Sequence, residues 1–106
     1  MSYTIAVAGK GGSGKTTLAA LTLYHLLKAG RTPVLAVDAD PNANLNEALG
    51  VAFNRTVVST VDQFMDGKEQ MPAGVPKDRY FEYQVQEAIV EAGGFDLLVM
   101  GHTEGP

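Results

Sequence analysis

Residues 9–16 read Gly-Lys-Gly-Gly-Ser-Gly-Lys-Thr, and no other stretch constrains the fold of this chain as tightly. The spacing is G-x-x-x-x-G-K-[ST], a loop whose backbone N–H groups cradle nucleotide phosphates. Such a loop works between a strand and a helix, and its flanks supply both. The apolar run Ile5-Ala6-Val7-Ala8 predicts a first strand over Tyr3–Ala8, and a helical pattern follows from about Lys15 to Lys28. Gly9, Gly11, Gly12 and Gly14 let the chain turn sharply around an anion, and the helix N-terminus behind them adds the positive end of its dipole. Lys15 is predicted to reach the β- and γ-phosphates, and the Thr16 hydroxyl to ligate Mg²⁺.

The same residues contain Gly9-x-Gly11-x-x-Gly14, a dinucleotide fingerprint, with Asp38 at the end of the next predicted strand. Lys15-Thr16 argues against that reading, because a dinucleotide turn has no use for a lysine there. Asp38 is also followed by a second acid and a proline, which suits a metal-and-water site better than a ribose. A glycine-rich turn with an incidental Gly-Lys-Thr is the bland alternative, and the strand–loop–helix context disfavours it.

Further along, strand and helix patterns alternate. Leu18, Leu21 and Leu26 give the first helix a broad apolar face, and Gly30 is placed to stop it. Pro33 opens a second strand, Val34–Val37, a continuous apolar run of the kind buried on both faces of a parallel sheet. A short helix is expected at about Leu45–Leu49, capped by Asn44 and stopped by Gly50. Another, capped by Ser59 or Thr60, should end near Gly67. Residues 67–77 read as a loop. Phe81, Val85, Ala88, Ile89 and Ala92 recur at helical spacing up to Gly93-Gly94, and Phe95–Met100 reads as a third strand. Strands alternating with helices imply right-handed βαβ units in an α/β fold.

Asp38-Ala39-Asp40-Pro41-Asn42 follows the second strand. Ligands of open α/β sheets bind outside the carboxyl ends of the strands, so these acids share a rim with the phosphate loop. Asp38 could hold Mg²⁺ through water, and Asp40 could orient an attacking water. Asp and Pro are also ordinary turn residues; two acids one residue apart beside a phosphate loop favour the functional reading.

Composition narrows the classes. The chain has 106 residues, 45% of them hydrophobic, enough for one core. It has no cysteine, hence no disulfide and no thiolate ligand in these residues. The net charge is −4 with no local basic cluster, which disfavours nucleic acid as a partner. No apolar stretch reaches the roughly 20 residues of a membrane span, and no secretory signal opens the sequence. No membrane partner and a cytoplasmic location are expected.

Lys10-Gly11-Gly12-Ser13-Gly14-Lys15-Thr16-Thr17 resembles the deviant Walker A motif of the MinD/ParA/nitrogenase-iron-protein group of P-loop NTPases. The resemblance implies a three-layer fold with a mostly parallel sheet in strand order 2-3-1. Residues 1–106 would be the N-terminal portion of a single such domain, with P-loop 9–17, switch I 38–44 and the start of switch II at 101–106. It also implies an ATP-dependent homodimer. Lys10 holds the place of the signature lysine that reaches the partner's nucleotide, and a second cation near the γ-phosphate would stabilise transition-state charge. Thr17 matches the α-phosphate contact. Asp40 matches the residue that positions or activates water, and Asp38 lies near the magnesium shell.

Within the group, Asp38–Gly50, Leu97–Gly101 and Glu104-Gly105-Pro106 look most like CooC-type accessory ATPases of carbon monoxide dehydrogenase. Gly101 stands where the wider group usually carries the Walker B aspartate, and His102-Thr103 depart from an expected arginine-proline. Those relatives continue into a Cys-x-Cys that binds nickel or zinc between subunits. That pair is not in this sequence, so a truncated chain is expected, without the metal ligands or the adenine-recognition residues. The resemblance therefore implies an ATPase that uses ATP and Mg²⁺, with Ni²⁺ or Zn²⁺ held only in the longer relative and the carbon monoxide dehydrogenase apo-enzyme as client. The alternatives are a MinD/ParA-like positioning or partitioning ATPase, an electron-transfer ATPase, which would need cluster cysteines, and a nucleotide-binding fragment without activity.

Overall fold

The computed structural model describes residues 2–9, 14–42, 44–66 and 73–102. Four helices and three strands run in the order α1 (Lys15–Lys28), β1 (Val34–Asp38), α2 (Leu45–Leu49), α3 (Val57–Asp66), α4 (Lys77–Glu87), β2 (Val90–Glu91) and β3 (Phe95–Val99). The sheet order is β1-β3-β2. β1 and β3 are parallel with Val34 opposite Phe95 and Asp38 opposite Val99. β2 joins the other edge of β3 antiparallel, Val90 opposite Leu97. The fold class is α/β, with a small mixed sheet rather than a mostly parallel one.

Alternation along the two long strands decides what is buried. Val34 and Ala36 of β1 and Phe95, Leu97 and Val99 of β3 share one face, against Ala20 and Leu23 of α1 and Leu49 of α2. Leu97 is fully buried. On the opposite face Leu35 and Val37 are 54% and 47% exposed. The second strand is therefore covered on one face among the described residues, not on both, and the exposed face is the one a third layer would cover.

α1 has the bounds its sequence predicts. Past its end Gly30 N–H donates to Leu27 O and Arg31 N–H to Leu26 O, closing the last turn. Its buried residues are Ala20 and Leu23, while Leu18 and Leu21 are exposed. Apolar residues occur around most of α1, and only the stripe facing the sheet and α2 is covered.

The first predicted strand, Tyr3–Ala8, is not a strand in the structure. Tyr3 is 80% and Ile5 60% exposed. β2 already takes the Asp96–Leu97 stretch of the β3 edge that this segment would pair with in a 2-3-1 order. Parallel pairing on one shared, shortened edge gives too few hydrogen bonds and too little burial to offset ordering the segment.

α4 ends at Glu87, short of the predicted Ala92. Ala88 N–H and Ile89 N–H bond back only three residues, to Val85 O and Gln86 O. The chain then folds into the β2–β3 hairpin, with Ala92 N–H donating to Phe95 O at 2.9 Å. Sheet pairing of Val90 outweighs the helical period. α3 starts earlier than predicted. Thr56, not Ser59 or Thr60, is its cap: Ser59 N–H donates to Thr56 Oγ1 at 3.0 Å and Thr56 N–H to Ser59 Oγ at 2.9 Å, a reciprocal cap. Phe64 of α3 packs edge-on against Phe81 of α4, centroids 5.1 Å apart. The predicted loop's residues 67–72 lie outside the described ones. No helix among the described residues is long and apolar enough to cross a membrane.

Candidate functional site

The site forms where the first turn of α1 meets the segment leaving β1. Gly14 precedes α1 with φ +82°, a left-handed conformation that glycine adopts freely. Gly14, the N-cap residue of α1, makes no side-chain cap bond and no acid lies in the helix's first turn, an arrangement in which the helix dipole favours an anion. Lys15 Nζ donates to Gly9 O at 3.1 Å and lies 2.9 Å from Asp40 Oδ2. The structure thus brings the P-loop lysine and the predicted switch I acid into direct contact. Lys10, Gly11, Gly12 and Ser13 lie outside the described residues, as do Ala43 of switch I and residues 103–106 of switch II.

Asp38 ends the inward-facing set Val34, Ala36, Asp38 and is 5% exposed. Its Oδ1 accepts from Asp40 N–H at 3.1 Å and its Oδ2 from Leu45 N–H at 3.0 Å. One buried carboxylate therefore shapes the switch I turn and holds the start of α2. Met100 N–H donates to Asp38 O, tying the same point to the end of β3.

Asp40 Oδ1 accepts from Asn42 N–H at 2.9 Å. That bond first, and the Lys15 ammonium second, hold its carboxyl below the ordinary aspartate value. A carboxylate stabilised in this way is a weak proton acceptor, so it is better suited to orient a water than to deprotonate one.

Thr16 Oγ1 donates to Asn44 Oδ1 at 3.0 Å. Asn44 occupies the N-cap position of α2, as predicted, but its side chain makes no cap bond. Thr17 is exposed on the first turn of α1. The side-chain oxygens of Thr16, Asp38 and Asp40 are of the donor type that Mg²⁺ takes, although both Asp38 oxygens already accept backbone N–H groups. No group of three or more His, Cys, Asp or Glu side chains able to hold a metal occurs among the described residues. A magnesium ion here would rely on phosphate oxygens and waters beside Thr16.

Gly101 has φ +78°, and a Cβ built there would lie 2.6 Å from Thr56 Oγ1 and 2.7 Å from Thr56 Cβ. The position that departs from the Walker B aspartate has no room for a side chain. His102 is exposed.

Sequence reasoning missed three contacts. The Thr56-x-x-Ser59 spacing is a readable cap signal. The Thr16–Asn44 and Lys15–Asp40 contacts join residues 28 and 25 positions apart and leave no local signature.

Comparison with known proteins agrees with this geometry. The profile of the CobQ/CobB/MinD/ParA nucleotide-binding domain matches residues 4–98. Two uncharacterised ATP-binding proteins of Methanocaldococcus jannaschii are 42% identical over 103 residues and 49% identical over 105 residues, covering 95% and 94% of this chain. The carbon monoxide dehydrogenase accessory protein CooC of Rhodospirillum rubrum is 32% identical over 105 residues, 92% of the chain. In all three the match covers 40% of the relative's length. No solved structure matches significantly.

Proposed function

The chain belongs to the CobQ/CobB/MinD/ParA nucleotide-binding domain family, and from that premise we propose that it is the nucleotide-handling part of a dimeric ATPase that assists nickel insertion into carbon monoxide dehydrogenase. The Lys15–Asp40 contact at 2.9 Å carries the nucleotide-switch reading. It couples the lysine of the phosphate loop to the segment that would respond to the γ-phosphate. The likeness to CooC supports the nickel role, and the nickel ion is cargo rather than a resident cofactor.

In this reading Lys15 binds the β- and γ-phosphates, residues 9–14 and Thr17 bind the phosphate chain, and Thr16 with Asp38 serves the magnesium site. Mg²⁺ when bound neutralises charge on the phosphate oxygens. Asp40 leaves Lys15 and orients the water that attacks the γ-phosphorus; the P–O bond to ADP breaks as the bond to water forms, giving ADP and phosphate. Lys10 of the second subunit stabilises the charge that develops. ATP closes the dimer and hydrolysis reopens it, capturing and releasing metal between subunits.

The test is calorimetric titration of the intact protein with ATP·Mg²⁺ beside Lys15→Ala, with molar mass measured in solution and nickel added afterwards. Lysine-dependent binding, a doubling of mass and nickel uptake by the dimer support the proposal. Lysine-dependent binding without nickel uptake overturns the nickel role, and the alternative, a MinD/ParA-like positioning or partitioning ATPase, takes its place. No binding by the folded protein overturns both.

A further inference from the structure

Asn44 stands where sequence rules put a helix cap, yet its side chain serves something else. It occupies the N-cap position of α2 with φ −119° and ψ 9° and makes no side-chain cap bond. The helix start is held by Asp38 Oδ2, which accepts from Leu45 N–H. Released from the cap, the Asn44 amide reaches across to α1, where its Oδ1 accepts from the Thr16 hydroxyl at 3.0 Å.

A threonine hydroxyl has one proton and two lone pairs. Left alone it rotates, and its lone pairs point wherever the rotor settles. With the proton committed to Asn44 Oδ1, the lone pairs are fixed in direction. A hydroxyl that ligates a cation needs this arrangement, because it must bind through a lone pair while its proton goes to another acceptor. Partners of this kind orient the ligating atom without touching the metal.

We propose that Asn44 is a positioning residue for divalent-cation binding: its Oδ1 holds the Thr16 proton, so that Thr16 Oγ1 presents a lone pair to the cation that accompanies the nucleotide. This rests on the reading of Thr16 as a magnesium ligand. Asn44 itself stays one atom removed from the metal, and the link ties the start of α2 to magnesium occupancy. An oxygen acceptor at position 44 is therefore required, and a second proton donor there would not serve.

The experiment measures ATP affinity of the intact protein by calorimetry, in excess Mg²⁺ and in EDTA, for wild type, Asn44→Ala, Asn44→Asp, Thr16→Val and the Thr16→Val/Asn44→Ala double variant. The quantity read is the gain in affinity that Mg²⁺ gives. Asn44→Ala is expected to reduce that gain about tenfold and to leave the EDTA affinity within about twofold of wild type. Asn44→Asp, which can only accept, is expected to keep the gain. The double variant is expected to match Thr16→Val alone. A full gain in Asn44→Ala, equal losses with and without Mg²⁺, or an added loss in the double variant overturns the proposal. Should Asn44→Ala not fold by circular dichroism, Asn44→Gln displaces the carbonyl by one methylene and carries the same expectation. A wild type with no Mg²⁺-dependent gain overturns the parent reading of Thr16; a normal wild-type gain that Asn44→Ala retains overturns this inference alone.

Discussion

Lys15 Nζ and Asp40 Oδ2 lie 2.9 Å apart, so the ammonium on the first turn of α1 is held by the second acid after β1. The ammonium also donates to Gly9 O, so among the described residues two of its three protons have acceptors. On the proposed reading, an arriving γ-phosphate would compete with the carboxylate for Lys15 and be repelled by it.

Asp40→Asn removes both the competition and the repulsion. Nucleotide affinity is expected to rise about twofold to fivefold, the range of a solvent-accessible ion pair. Hydrolysis is expected to fall about a hundredfold, because the neutral amide orients water poorly. Equilibrium titration and single-turnover hydrolysis read the two effects separately. A fall in affinity would show that Asp40 does not restrain Lys15.

The same pair sets a dependence on acid. Asp40 is held below its ordinary value by Asn42 N–H and then by Lys15. Its contribution to stability is therefore fully present above the ordinary carboxylate range and is lost as pH falls through the lowered value. Urea melts of wild type and Asp40→Asn, taken from about pH 5 down to about pH 2, should differ by a constant amount at the upper end and converge at the lower. A difference that persists unchanged into acid means that the carboxylate gains nothing from its partners.

Local periodicity made much of this legible in the sequence. α1, α2 and the core of both long strands fall where apolar spacing and stop residues place them. The Gly-Lys-Thr and Asp-x-Asp motifs are each local patterns, and they meet where the first turn of α1 approaches the segment leaving β1. Three things were not legible. The Tyr3–Ala8 run is apolar enough for a strand, but pairing depends on a neighbour that no local pattern reveals. Val90 fits a helical period, and only the nearby β3 edge recruits it into a hairpin. Asn44 looks like a cap, and only the tertiary approach of Thr16 reassigns its side chain.

Asp38 supports the switch through both carboxylate oxygens, which accept from Asp40 N–H and Leu45 N–H while the residue is buried. Asp38→Asn keeps the shape but turns an NH₂ toward one of those amides. The unmade buried hydrogen bond is expected to cost about 1–3 kcal/mol. Chemical denaturation measures it, and amide exchange at Leu45 and along α2 should quicken. Unchanged stability would mean that the turn is held without Asp38.

Gly101 tests whether the missing Walker B acid could simply be restored. At φ +78° a residue with a Cβ carries about 1–2 kcal/mol of strain, and its Cβ would sit 2.6 Å from Thr56 Oγ1. Overpacking of that kind adds about 1–3 kcal/mol, so Gly101→Ala is expected to destabilise the protein by about 2–5 kcal/mol. Gly101→Asp should be at least as harmful, since it places a carboxylate against the same atoms. Thr56 cannot easily withdraw, because its side chain caps α3 through Ser59 and Val58 N–H is bonded to Met100 O. Thr56→Gly alone should cost a few tenths to about 1 kcal/mol through the weakened cap. Combined with Gly101→Ala it removes the atoms in collision, so the double variant should be less destabilised than the sum of the singles. Denaturation of the four proteins measures the coupling, and simple additivity would show that the two residues do not press on each other.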